Sequence, residues 1–357
     1  MPKPPSYLNI HQHLLNAVLY ALGKRRVPIG TAIGQYLPSS RLSEIMRNID
    51  STTPLIGTVA SPAMLAGAFA DRQALISQVA DSGIDHVFMA DHVSFINGMG
   101  MDGIINAATI AAMHPTIKIC IGVYLLALRH PVPVARQLAT LAQSAPGRIT
   151  LGVGVGGEDR HEMEVCGINP KTRGRQTNEC LDIIRNLASG APYSFKGEFF
   201  DIDNARIKPA VDPQIPILIG GRADAAIKRA GTFGEGWLAV WCSPQRFSSA
   251  ITQVEATAAE VGRSNVEWQH GLQVWVGVHK DQKRARQLIA DEMQAFYRLP
   301  FEAFEKYSPY GTAEQIADFL RPYRDAGCRL FNIKPCAEDE ATGIDTVARV
   351  RTLLQQA

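Results

Sequence analysis

With 46% hydrophobic and 20% charged side chains over 357 residues, and 21 Pro and 30 Gly scattered rather than gathered in tracts, the sequence has the composition of a packed globular protein. The 36 Lys plus Arg against 34 Asp plus Glu leave a net charge of +2, which excludes the basic face of a nucleic-acid binder and points to small molecules as partners. No stretch approaches the ~18 apolar residues of a membrane span, and six cysteines without a C-x-x-C pair suit a reduced cytoplasm.

In chain order, residues 1–50 come first. Leu14, Leu15, Val18, Leu19 and Leu22 form an apolar face followed by Lys24, Arg25 and Arg26, the reverse of the charge order of a signal peptide. This predicts an N-terminal helical arm, docked on the rest of the chain or on a second copy in a homodimer; a leader without fixed structure is the alternative.

From residue 55 onward, short apolar runs alternate with longer segments of helical period, the pattern of repeated βα units. Strands are expected at 55–60, 86–91, 117–124, 148–154, 216–220, 236–241, 272–278 and 329–334. Helices are expected between them at 71–82, 103–113, 132–144, 176–189, 223–233, 244–262, 281–297 and 312–326, with a closing one at 343–355. Eight strands are what a closed (β/α)8 TIM barrel requires, so residues 51–357 are expected to form one such catalytic domain. Residues 190–213 are an insertion between the fourth and fifth strands, with a hairpin (YSFKGEFFDID) turned at Lys196-Gly197. An open doubly wound sheet fits less well: the first strand runs into Ser61-Pro62, and the glycine run at 152–157 is followed by no acidic residue at ribose-binding distance.

In a closed barrel the working residues lie at the carboxyl ends of the strands. Those ends offer Asp91 and His92, Gly122 and Val123, Gly154 to Glu158, Gly220 to Arg222, Trp241 and Cys242, His279, and Lys334. The glycine clusters can present backbone amides to a phosphate, with Arg222 adding a full charge and the following helix a partial one; alternatively they only make tight turns. Asp91-His92 places a carboxylate beside a proton carrier, or else a capping Asp beside a structural His. The histidines show no metal-ligand spacing, and no metal is expected.

The block LGVGVGGEDRHEMEVCGINPKTRGRQTNECLDIIRNLASGAPYSFKGEFFDI, followed by PILIGGRADAAIKRAGTFGEGWLAV, resembles the bacterial-luciferase-like superfamily, as do ADH at 90–92 and LALRHP at 126–131. The most specific part is the order Gly-rich strand end, Glu162, Arg173, hairpin, PILIGG and GEGW. The resemblance implies a (β/α)8 barrel oxidoreductase using coenzyme F420 or FMN. It implies that Gly154, Gly156, Gly157, Gly220 and Gly221 lie near the cofactor phosphate, and that a strained peptide at Gly122-Val123, the cis form included, backs the ring. Asp91-His92 matches the motif against the reacting ring face.

Two positions depart from the pattern: Gly157 stands where many relatives have an aromatic, and Glu235 where Asp is usual. With F420 the chemistry would be hydride exchange with a small alcohol, ketone or enone. With reduced FMN it would be oxygen insertion, fed by a separate cofactor reductase, and a flavin-binding protein without catalysis is a third reading. The glycine strand end without a side-chain phosphate anchor favours F420.

Overall fold

The computed structural model describes residues 53–96 and 98–356; the expected N-terminal arm lies outside the described residues. Eight parallel strands close on themselves: β1 (Leu55–Val59), β2 (His86–Met89), β3 (Lys118–Leu125), β4 (Ile149–Gly154), β5 (Ile217–Gly220), β6 (Gly236–Val240), β7 (Gly271–Val278) and β8 (Leu330–Cys336). Each pairs with the next in sequence, and β8 returns to pair with β1 through Leu55 to Leu330 and Thr58 to Ile333. This is the predicted TIM barrel, each strand within two residues of its expected ends.

The helices are α1 (Phe69–Asp81), α2 (Gly103–Met113), α3 (Pro131–Ser144), α4 (Arg173–Ala188), α5 (Asp224–Phe233), α6 (Pro244–Glu260), α7 (Gln282–Tyr297), α8 (Ala313–Asp325) and α9 (Glu340–Gln355). Their starts follow from local chemistry. Asp102 accepts from the Ile105 amide, Ser243 precedes Pro244 and accepts from Arg246, and Thr312 with Gln315 forms a capping box. Outward-facing strand residues such as Ile56, Ile121, Leu151 and Ile333 pack against these helices in one continuous core.

Three additions at the strand ends were not expected: an antiparallel hairpin of His92–Phe95 with Met99–Met101, and short helices at Pro62–Leu65 and Arg160–Val165. The insertion does hold a hairpin, Tyr193–Lys196 with Asp201–Ala205, but the turn is longer than the expected Lys196-Gly197 pair. The cause is Glu179 on α4, whose carboxylate accepts from the amides of Glu198, Phe199 and Phe200 at 2.6, 3.0 and 3.2 Å and so organises a four-residue loop. Gly197 is required there, because a Cβ would fall 2.4 Å from that carboxylate.

Two histidines are built into the core. His86 Nε2 meets Asn332 Oδ1 at 2.7 Å inside the barrel, and His270 Nδ1 accepts from the Trp237 amide. Burial pushes both down from 6.5 to about 4, the Asn332 bond opposing it at His86 and Arg329 reinforcing it at His270. Both imidazoles are therefore neutral in the fold and protonate first in the unfolded chain. The stability they contribute is intact above pH 6.5 and is lost as pH falls toward about 4, up to about 3 kcal/mol per histidine. Urea midpoints at pH 7 and pH 4.5 should differ accordingly, and less so in His270→Gln. Equal midpoints at the two pH values reject this account.

Candidate active site

The carboxyl ends of β2 to β6, with Gln273 of β7, surround a solvent-open cavity of about 240 Å³, lined among others by His92, Gly122, Gly156, Glu158, Arg222 and Trp241. Of the predicted strand-end residues from β2 to β6 all but Cys242 line it; Cys242 is buried in the core, its carbonyl accepting from the Tyr323 hydroxyl. Lys334 and His279 do not line it: Lys334 pairs with Glu292 across the face of Trp275, and His279 sits on the surface against Asp281.

His92 begins the unexpected hairpin and stacks on Phe95, ring centroids 4.2 Å apart. Its Nδ1 lies 3.0 Å from Oε2 of Glu162, a residue only 2% exposed, whose Oε1 also accepts from the amides of Val93 and Ser94 at 2.7 and 3.2 Å. Against a buried carboxylate Nδ1 carries the proton and donates it. Nε2 is thereby left as the basic nitrogen, on a side chain 17% exposed at the cavity wall.

The carboxylate that fixes His92 is thus Glu162 and not its sequence neighbour. Asp91, 1% exposed, faces the other way: Arg129 grips both its oxygens at 2.5 and 2.8 Å, and the amides of Gly103 and Leu125 donate to it at 3.0 Å each. Burial raises its carboxyl above the ordinary value, a rise that Arg129 and the two amides offset only in part. With four donors committed, Asp91 has no capacity left for a proton in transit. It acts as the post that ties β2, β3 and α2 together at the mouth.

The glycines divide into two groups. Gly154 and Gly220 make room for Val123: a Cβ on either would fall 2.5 or 2.8 Å from its side chain. Gly156, Gly157 and Gly221 have φ of +66°, +119° and +123°, and among the described residues no acceptor meets the amides of Gly157, Glu158 or Gly221. Arg173 secures this loop from behind by donating to the Gly156 carbonyl at 3.3 Å, which turns amides toward the cavity. The Gly122-Val123 peptide is cis, within the allowance made from the resemblance.

A Cβ at Gly156 would meet Leu125 and Met163 at ordinary contact distance, so packing alone does not bar a side chain there, and one at Gly221 would lie 3.0 Å from Ala226. Substitution acts through backbone strain instead. Gly156→Val and Gly221→Val should each weaken cofactor binding by about tenfold or more as the free amides are re-aimed. Titrations unchanged in both variants would remove this end of the cavity from the site.

Three lining residues had no chemistry assigned from the sequence: Glu158 and Trp241 were named only as strand-end residues, and Gln273 not at all. Glu158 faces His92 and Arg222, and desolvation in the cleft raises its carboxyl above the ordinary value while those two neighbours oppose the rise. Trp241 holds a φ of +47°, costly for a non-glycine residue, and its buried Nε1 donates to nothing among the described residues. Gln273 Oε1 is likewise buried without a donor. Orphaned polar atoms of both kinds, three free amides and the unpaired Arg222 suit a ligand with a polar ring edge and an anionic tail, which is the chemistry of a flavin-type cofactor. No group of three or more potential metal ligands occurs among the described residues, and no helix among them is long and apolar enough to cross a membrane.

Comparison with known proteins agrees with this geometry. The F420-dependent glucose-6-phosphate dehydrogenase of Microbacterium testaceum is 26% identical over 265 residues, 71% of this chain and 77% of that protein. The chain spans only 54% to 60% of the length of the curated relatives it matches at 30% identity or more. Among solved structures, an F420-dependent secondary alcohol dehydrogenase in complex with an F420-acetone adduct superposes with a TM-score of 0.74 at 22% identity, covering 85% of this chain and 100% of its own. The FMN complex of the oxygenating constituent of 3,6-diketocamphane monooxygenase from Pseudomonas putida gives 0.67 at 16% identity, covering 85% and 98%. Residues 53–326 match the luciferase-like monooxygenase family, and the chain belongs to it.

Proposed function

We propose that this protein is an F420-dependent oxidoreductase that exchanges a hydride with a small alcohol, ketone or enone at the barrel mouth. The observation that carries the reading is His92, its Nδ1 held by buried Glu162 and its Nε2 left basic beside the cavity. Bound F420 supplies two-electron hydride chemistry. A carbon that loses or gains hydride while bearing oxygen needs a proton partner at that oxygen, and Nε2 is placed to take the hydroxyl proton of an alcohol or return it to a ketone. Glu162 stabilises the imidazolium that forms.

The free amides of Gly157, Glu158 and Gly221, with Arg222, would hold the phosphate of the cofactor tail. Gln273 and Trp241 would meet the polar edge of its ring. The glycine end of β4, which offers no side-chain phosphate anchor, and the F420-dependent sequence relative support F420 over FMN.

The test is a pair of binding titrations, with F420 followed by its own fluorescence and FMN by quenching. F420 should bind more tightly. Tighter binding of FMN would reassign the site to oxygen chemistry with a separate reductase.

A further inference from the structure

We infer that the substrate taken up beside His92 is a neutral, flat, apolar ketone or alcohol and not a phosphorylated or carboxylated one. This rests on the cofactor reading above and goes on to name the substrate class of that same site.

Charge supplies the first observation. Among the described residues lining the cavity, Arg222 alone is a Lys or Arg, and it belongs to the glycine end, its guanidinium 5.4 Å from the Trp241 ring. The cofactor phosphate would claim it. Around His92 the lining instead holds Glu158, Asp159 and Glu162. Nearby cations are committed elsewhere: Arg129 to Asp91, and Lys334 to Glu292 against the Trp275 ring, while Arg298 is exposed and outside the lining. An anionic group in the His92 half would be desolvated among carboxylates, with no uncommitted Lys or Arg among the described residues to meet it.

The wall of that half supplies the second. The lining rings Phe296, Tyr297 and Trp241 follow one another at 4.8 and 5.0 Å, and Phe95, buried behind the lining, joins them to His92 at 5.7 Å from Phe296 and 4.2 Å from His92. Trp275 backs Phe296 and Tyr297 at 5.7 and 5.6 Å. These rings come from the hairpin after β2, from α7 and from the end of β6, whereas the free amides lie after β4 and β5. A flat apolar molecule gains stacking and burial against such a wall, and a polyhydroxylated phosphate gains neither. The chemistry closes on neutral species: the ketone takes hydride at carbon from the reduced cofactor and a proton at oxygen from protonated His92, giving the alcohol.

The experiment is saturation-transfer NMR on the F420-loaded protein, with acetophenone as the neutral probe and glucose 6-phosphate as the anionic one. Acetophenone should bind at least about tenfold more tightly than glucose 6-phosphate. Phe296→Leu should weaken acetophenone several-fold with the F420 titration unchanged, and Glu158→Gln should narrow the gap between the probes. Glucose 6-phosphate binding as well as acetophenone, or acetophenone binding indifferent to Phe296→Leu, overturns the inference while leaving the cofactor reading standing. Failure of F420 itself to bind, seen separately in the titration, brings down the cofactor reading and this inference with it.

Discussion

Replacing His92 by Asn should lower turnover by about 10² or more, the usual weight of a general acid or base, while cofactor affinity and thermal midpoint stay where they were. Asn keeps a donor within reach of Glu162 and a polar group at the cavity wall, but it cannot titrate. The hairpin amides of Val93 and Ser94 remain bound to Glu162, so the backbone that carries the residue is not released. The comparison to make is kcat and the pH profile with the wild-type and variant proteins, alongside their F420 titrations. A variant that unfolds, while its folded fraction turns over at the wild-type rate, would make His92 a structural residue.

Glu162→Gln should come close to the same loss by a different route. A glutamine can still accept from Val93 and Ser94 through its carbonyl, but its amide nitrogen then faces His92 Nδ1. That nitrogen becomes an acceptor, the ring proton moves to Nε2, and the basic nitrogen is lost from the cavity side. Turnover should fall by about 10², with the pH profile altered and stability little changed. Glu162→Ala should also cost about 1–3 kcal/mol of stability, because buried donors lose their acceptor. Wild-type kcat and pH profile in Glu162→Gln would show that this carboxylate does not set the tautomer.

The barrel was legible because its strands are buried on both faces and read as short apolar runs such as ILIG and HVFM, each followed by a helix of amphipathic period. The strand ends were legible as a region, and from β2 to β6 they do meet in one cavity. Partnerships within it were not. Asp91 and His92 are adjacent in sequence and point opposite ways, while the carboxylate that meets His92 lies 70 residues along the chain. Nothing local in the helix Arg160–Val165 marks Glu162 as buried.

Glycines mislead in a similar way. Gly154 and Gly220 look like phosphate-loop residues, yet they are small because Val123 enters the barrel between their strands. Only a positive φ, which composition does not reveal, separates them from Gly156, Gly157 and Gly221. The turn of the insertion hairpin failed for a comparable reason, since its length is set by Glu179 on another element. The Trp241 indole and the Gln273 amide carry no sequence signal beyond their places near strand ends, and became visible only as buried groups without partners.

The central claim is that a proton held at His92 accompanies hydride exchange at the mouth of this barrel. It is tested most directly by mixing reduced F420 anaerobically with the protein and a neutral aryl ketone, and following cofactor oxidation in the wild type and in His92→Asn. The account predicts ketone-dependent oxidation by the wild-type protein without oxygen, slowed by about 10² in the variant with F420 bound equally well to both. Oxidation that requires oxygen, or that proceeds at the same rate in the variant, would contradict it.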